Sequence, residues 1–215
     1  MIDRRQLAIG TAALVAGWPA IATAQTINFA EAAVGTQPAG FEFSRTGSGP
    51  PGRWEVVRDD TAEGKKALAQ LSADPTDYRF PLAIYSEVMA VNVEIAARFK
   101  PISGKEDQAG GVVVRFSDPD NYYIARANAL ENNVRFYRVV KGRRQQLATA
   151  NAKVTAGEWN RLTLHAENDR FTVSLNGKTL HTTTDHTFRS AGKVGLWTKA
   201  DSVTHFDRVE IRQLP

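Results

Sequence analysis

The feature that most limits the fold of this chain is a hydrophobic repeat of two. Residues Val88–Lys100 read V-M-A-V-N-V-E-I-A-A-R-F-K. Val91, Val93, Ile95 and Phe99 share one parity, and Asn92, Glu94, Arg98 and Lys100 share the other. Successive side chains of a strand point to opposite faces, so this pattern predicts a long strand with one face in a core and one polar. Gly110–Ser117, Asn121–Ala129, Asn133–Lys141, Glu158–Glu167, Phe171–Leu175, Lys178–Thr184, Lys193–Lys199 and His205–Gln213 read as further strands. Between them stand turn residues with a mechanism. Asn176–Gly177 suits the two positive φ angles of a type I′ hairpin, and Asp118–Pro119–Asp120 is a proline-pinned turn.

No stretch after the first 24 residues sustains a 3.6-residue period without Gly or Pro. Thr61–Leu71 fits either a helical turn or a short strand, and the Gly- and Pro-rich Arg45–Arg53 reads as a loop. Many short strands at regular spacing, each with one apolar face, are best buried by stacking two sheets. The expected fold is all-β: one antiparallel two-sheet jelly-roll sandwich over residues 25–215.

Residues 1–24 read as an export leader. Arg4–Arg5 opens it, the apolar run Leu7–Ile21 follows, and Ala22–Thr23–Ala24 places cleavage before Gln25. Arg4–Arg5–Gln6–Leu7 also matches a twin-arginine signal. The run falls short of the roughly 20 residues that span a bilayer, so a retained anchor is the lesser reading. The expected location is periplasmic or secreted, with no membrane attachment after cleavage.

Composition narrows the chemistry. The 215 residues include no cysteine, which excludes disulfides, zinc–thiolate sites and a thiol nucleophile. The net charge of +4 is scattered, and the pairs Lys65–Lys66 and Arg143–Arg144 lie in expected turns, so no nucleic-acid partner is expected. His165, His181, His186 and His205 show no metal-ligand spacing. Asp118–Pro119–Asp120–Asn121 offers oxygens of the kind calcium takes, as do Asp201 and Asp207, yet such a turn forms without metal. No cofactor is expected, and acyl-hydrolase and nucleotide-binding motifs are absent. Trp54 and Trp159 are expected in the core.

The second half resembles a known superfamily. Gly111–Phe116, Asp118–Asn128, Gly157–Leu162, Phe171–Lys178, Gly192–Ser202 and Phe206–Val209 are similar to the central strands of concanavalin A-like lectin/glucanase jelly rolls. Within it, the pattern is closest to laminin-G-like and 3-keto-disaccharide hydrolase domains of exported bacterial proteins. The resemblance implies a ligand on a concave sheet. On that sheet Arg98, Arg115, Arg126 and Lys199 would share a surface with Tyr122, Asn128 and Trp197. Rings that stack on sugar C–H faces, beside fixed donors for hydroxyls, suit a saccharide or glycan.

The paired glutamates of a retaining glucanase, in an E-x-D-x-x-E run, are missing. The 3-keto route instead needs a base and a cation near an enolate. Arg115 or Arg126 would supply the cation, and Glu131 or a histidine would take the proton. Two functions stand at this point: an exported carbohydrate-binding or carbohydrate-acting domain, or a non-catalytic adhesive or envelope-scaffold module that meets protein partners. Whether it is an enzyme is left open.

Overall fold

The computed structural model describes residues 24–215. The predicted leader lies outside the described residues, except that Ala24 begins the first strand. Fifteen strands and one 3₁₀ turn, Glu63–Lys65, make up the regular structure, so the all-β expectation holds. Among the described residues no helix is long and apolar enough to cross a membrane.

The strands run β1 Ala24–Asn28, β2 Phe41–Gly47, β3 Trp54–Arg58, β4 Lys66–Gln70, β5 Arg79–Ala90, β6 Val93–Ser103, β7 Ala109–Asp118 and β8 Asn121–Asn128. Then follow β9 Asn133–Val140, β10 Arg143–Asn151, β11 Asn160–Glu167, β12 Arg170–Leu175, β13 Lys178–Thr184, β14 Gly192–Trp197 and β15 Val203–Gln213. One antiparallel sheet has the order β13-β12-β11-β6-β15-β4-β3, with β1 also on β15; the other has the order β10-β9-β8-β7-β14-β5-β2. We call them the front-to-back pair sheet I and sheet II. The β12–β13 hairpin turns through Asn176–Gly177, with φ of 50° and 81° at the two residues, as the sequence predicts.

The long strand predicted over Val88–Lys100 is two strands in two sheets. β5 ends at Ala90 in sheet II, the chain bends at Val91–Asn92, and β6 starts at Val93 in sheet I. The core-facing parity switches at the crossover: even-numbered Val88 and Ala90 of β5 and odd-numbered Val93 and Ile95 of β6 face the same core. The predicted alternation therefore holds only from Val93 onward. Thr61–Leu71 resolves into the 3₁₀ turn and β4, and the region read as a loop from Arg45 begins inside β2.

The sheets stack on a main core of Tyr123, Ala125 and Phe136 from sheet II against Ile95, Leu164 and Phe171 from sheet I. Tyr123 stacks on Phe136 with centroids 5.8 Å apart. A second apolar cluster lies on the opposite face of sheet II. It contains Phe80, Leu82, Val113, Tyr122, Ile124 and Trp197, all at most 1% exposed. That burial requires the sheet to curl over itself. β2 and β8 are four strand intervals apart, roughly 19 Å if flat, yet Thr46 Oγ1 and the Tyr122 hydroxyl lie 2.7 Å apart. β5 and β10 would be roughly 24 Å apart, yet the Arg144 guanidinium lies 4.7 Å from the Phe80 ring. Sheet II is therefore deeply concave, and its hollow is filled along the middle by aromatic and aliphatic side chains. The open palm expected from sequence exists only at one end.

Candidate functional site

That end is built from the finish of β8, the start of β9 and two loops. The period-two alternation of β8 sends Tyr123, Ala125 and Ala127 into the main core and Tyr122, Ile124, Arg126 and Asn128 onto the concave face. On β9 the same rule presents Asn133, Arg135 and Tyr137, which pair across from Asn128, Arg126 and Ile124. Glu131 sits in the turn between these strands, and the positive φ of Asn132 closes it.

Glu131 organises the arginines. Arg126 Nη2 and Arg135 Nη2 both lie 3.0 Å from its Oε2, Asn133 Nδ2 donates to that oxygen at 2.8 Å, and Asn128 Nδ2 lies 3.3 Å from Oε1. Arg126 Nη1 donates to Asn133 Oδ1 at 2.8 Å. Burial pushes the Glu131 carboxyl up, but hydrogen bonds from Asn133 and Arg126 and the charges of Arg126 and Arg135 outweigh it. The group is held at about 2. So ionised an acid is a poor proton acceptor at neutral pH. Glu131, expected as a base, serves as an anchor.

A second branch runs through Asn128 Nδ2 to Asp107 Oδ1 at 2.6 Å. Asp107 Oδ2 meets Lys199 Nζ at 2.6 Å, and Asp77 holds the same ammonium at 2.8 Å. Burial pushes the Asp107 carboxyl above its ordinary value, only partly offset by Lys199. Asp107 is positioned by Asp201, whose carboxylate accepts backbone N–H bonds from Lys105, Glu106 and Asp107 at 2.5–3.2 Å. The loop closes so tightly that a Cβ on Gly104, at φ 153°, would stand 1.9 Å from the Asp107 carbonyl oxygen. Only glycine fits there.

Tyr137 lies where these elements meet the aromatic filling. The Arg144 guanidinium sits 4.4 Å from its ring centroid, 4.7 Å from Phe80 and 5.9 Å from Trp197. Burial pushes the phenol up, but the charge of Arg126, a hydrogen bond from Arg135 and the charge of Arg144 bring it below its ordinary value. Arg126 Nε, Arg135 Nε and Arg144 Nη1 are buried and have no acceptor among the described residues. Buried donors without partners are costly and mark a place where an acceptor belongs. Arg135 and Arg144 remain partly exposed, so the group opens to solvent through them.

Of the residues predicted for the site, Tyr122, Arg126, Asn128 and Trp197 share the concave face, with Lys199 at its edge. Tyr122 and Trp197 are fully covered and form the filling rather than a stacking platform. Arg98 and Arg115 do not join them. β6 belongs to sheet I, so Arg98 faces the other side of the molecule, beside Asp207 at 3.3 Å and over Trp159 at 5.3 Å. Trp159, expected in the core, is half-buried there and donates to Thr61. An irregularity in β7 between Val114 and Asp118, with Arg115 at φ 52°, turns Arg115 out of its row to the far end of the sandwich.

The histidines also lie elsewhere. His165 pairs with Glu94 and His205 with Asp59 on sheet I, His181 is on β13, and His186 follows β13 beside Asp169. The carboxylates considered for calcium have protein partners: Asp118 Oδ1 accepts from Asp120 N and Asn121 Nδ2, and Asp207 Oδ2 from Glu63 N. Sequence reasoning missed Arg135, Tyr137, Arg144, Asp77 and Asp107. The first two share the parity of Asn133 and were within its reach.

This architecture, a two-sheet jelly roll with one deeply curved sheet, is that of concanavalin A-like domains. It is similar to the carbohydrate-binding module CBM66 from Bacillus subtilis, at 21% identity and a TM-score of 0.59 over 77% of this chain and 91% of that one. Domain 4 of AbnA, a GH43 extracellular arabinanase from Geobacillus stearothermophilus solved with arabinotriose, matches at 14% identity and 0.58, covering 89% and 93%. The carbohydrate esterase vb_24B_21 from Shiga toxin-encoding bacteriophage phi24B matches at 17% and 0.57, covering 90% and 100%. No curated protein matches the chain by sequence. The sequence pattern of the 3-keto-alpha-glucoside-1,2-lyase-like domain matches residues 39–212, and the chain belongs to that family.

Proposed function

We propose that this chain is an exported carbohydrate-acting domain that cleaves 3-keto-glycosides by elimination at the concave end of sheet II. The observation that carries the reading is Tyr137 held among Arg126, Arg135 and Arg144, with its phenol lowered and three buried N–H groups lacking acceptors. A ketone at carbon 3 acidifies the C2–H bond, so the chemistry needs a base beside donors aimed at a developing oxyanion. Tyr137 as phenolate takes the C2 proton while the electron pair moves onto the C3 oxygen, where Arg126 and Arg135 stabilise it. Collapse of the enolate forms the C1–C2 double bond and breaks the bond from C1 to the glycosidic oxygen. That oxygen is then protonated by the phenol now formed on Tyr137. Asn128, Asp107 and Lys199 present donors and acceptors for the hydroxyls of the departing sugar. Family membership supports the substrate class, and the leader read in residues 1–24 supports a periplasmic or secreted location.

The test is release of product from an α-linked glucose disaccharide and from its 3-keto form, read by chromatography and by absorbance of the enone. The keto form is expected to be cleaved and the unoxidised sugar spared. Tyr137→Phe is expected to lower kcat by about 10²–10⁴-fold while the thermal midpoint is kept. Equal cleavage of both sugars, or a full rate in Tyr137→Phe, overturns the mechanism. Absence of any sugar response, with capture of a protein partner, would favour the non-catalytic scaffold module.

A further inference from the structure

A second polar cleft lies at the opposite end of the sandwich. β7 starts at Ala109, just beyond Asp107, and reaches Arg115 six residues later, roughly 20 Å away. There Val91, Arg115, Asn168, Asp185, His186 and Arg189 line a cavity of about 410 Å³, together with Asp169. Nothing in the elimination chemistry uses it.

Its floor is an unusual arginine. Arg115 is 2% exposed and sits at φ 52°, a left-handed value that non-glycine residues rarely adopt. Its guanidinium donates from Nε to Val91 O at 3.1 Å, from Nη1 to Phe188 O at 2.7 Å, and from Nη2 to Asn168 O. All three acceptors are neutral carbonyls. No carboxylate forms an ion pair with Arg115 or with the exposed Arg189 among the described residues. The two aspartates of the cleft have nearer partners, although the charge of Asp169 also acts on Arg115. Asp185 accepts from Tyr123 at 2.6 Å, from Thr187 N at 2.9 Å and from Arg138 at 2.8 Å, while Asp169 pairs with His186 at 3.1 Å. A guanidinium has five N–H donors, so one remains on each Nη of Arg115. A buried cation whose partners are neutral is stabilised strongly by an incoming anion, and a planar fork favours a carboxylate. Beside it, the Asp169–His186 pair supplies acceptor and donor sites of the kind that hydroxyls satisfy.

We infer that this cleft binds a sugar acid, with the carboxylate on Arg115 and Arg189 and the hydroxyls on Asp169 and His186. The cavity volume lies within the range of small-molecule sites. This assignment stands apart from the elimination site and does not depend on it.

The experiment is calorimetric titration of the purified protein with glucuronate, gluconate, glucose, acetate and inorganic phosphate at low salt. Glucuronate or gluconate is expected to bind and to weaken as salt is raised, while glucose, acetate and phosphate bind at least about tenfold less well. Arg189→Ala, an exposed change that leaves the core untouched, is expected to weaken the sugar acid about tenfold, and His186→Ala to weaken it less. Tyr137→Phe, at the other end, should leave this affinity unchanged, which separates failure here from failure of the elimination reading. Equal binding of glucose and glucuronate, equal binding of phosphate, or an unchanged affinity in Arg189→Ala would each overturn the assignment.

Discussion

The outer faces of the two sheets carry the same kinds of side chain and treat them in opposite ways. On sheet I the neighbouring strands β11, β6 and β15 offer cations to matching acids. Arg161 pairs with Glu210, Arg208 with Glu63 and Glu210, Arg212 with Glu94, Arg98 with Asp207, and Lys100 with Asp59. On the concave face of sheet II, Arg126 and Arg135 share the single carboxylate of Glu131, and Arg144 rests on aromatic rings alone. An arginine count says little about binding. The ratio of guanidinium to carboxylate, and the N–H groups left over, separates a face of matched ion pairs from a surface prepared for an oxyanion.

The same contrast extends to packing, and there the largest effect is expected. Trp197 on the concave face is fully buried, stacked on Phe80 with centroids 5.2 Å apart. Trp197→Ala should cost about 3–5 kcal/mol in urea unfolding, as truncation of a core aromatic does. Arg212→Ala on the other face should cost far less, since its partly exposed ion pair with Glu94 contributes about 1 kcal/mol or below. Comparable losses from the two variants would mean that the filling of the hollow is not a second core.

Acid should weaken the concave end through Glu131. The folded value of Glu131, about 2, lies below the roughly 4.3 of an unfolded glutamate. The unfolded chain therefore binds more protons in that interval. The contribution of Glu131 to stability is complete above about pH 4.3 and is lost as the pH falls towards 2. Asp107 has the opposite sign. Its raised folded value means that its contribution is complete below the unfolded aspartate value and is lost as the pH rises through the folded one. Glu131→Gln should flatten the acid limb of a stability–pH profile measured by denaturant unfolding between about pH 5 and 2. A limb of unchanged slope would place the charge coupling elsewhere.

Much of this arrangement was legible in the sequence, and the boundary of legibility has a physical cause. Alternation read correctly which side chains of β8 face out, because a strand has only two faces. Alternation cannot say which sheet a strand enters, and that alone sent Arg98 to the wrong surface. Nor can it register an irregularity, and the one in β7 carried Arg115 away from the row it was assigned to. Curvature was equally hidden. Ile124, an apolar residue in the row of Tyr122, Arg126 and Asn128, is in the filling, because a sheet that curls onto itself needs apolar residues on its concave side too. Asp107 and Asp77 lie in loops with no period, so only the coordinates bring them to Lys199.

The smallest effect tests the contrast most directly. Arg161 and Glu210 form a partly exposed ion pair on sheet I, with side chains 43% and 31% exposed. In a double-mutant cycle its coupling should be about 0.2–1 kcal/mol and should fade as salt is added, because water screens both charges and ordering two long side chains offsets the attraction. The same cycle on Arg126 and Glu131 should give a larger coupling that salt diminishes less, since Arg126 is 1% exposed and its removal strands the carboxylate among Asn133 and Arg135. If the two couplings are equal at high salt, burial does not distinguish the faces. The concave arginines would then be as solvated as those on sheet I, and unpaired N–H groups there would exert no pull on a ligand.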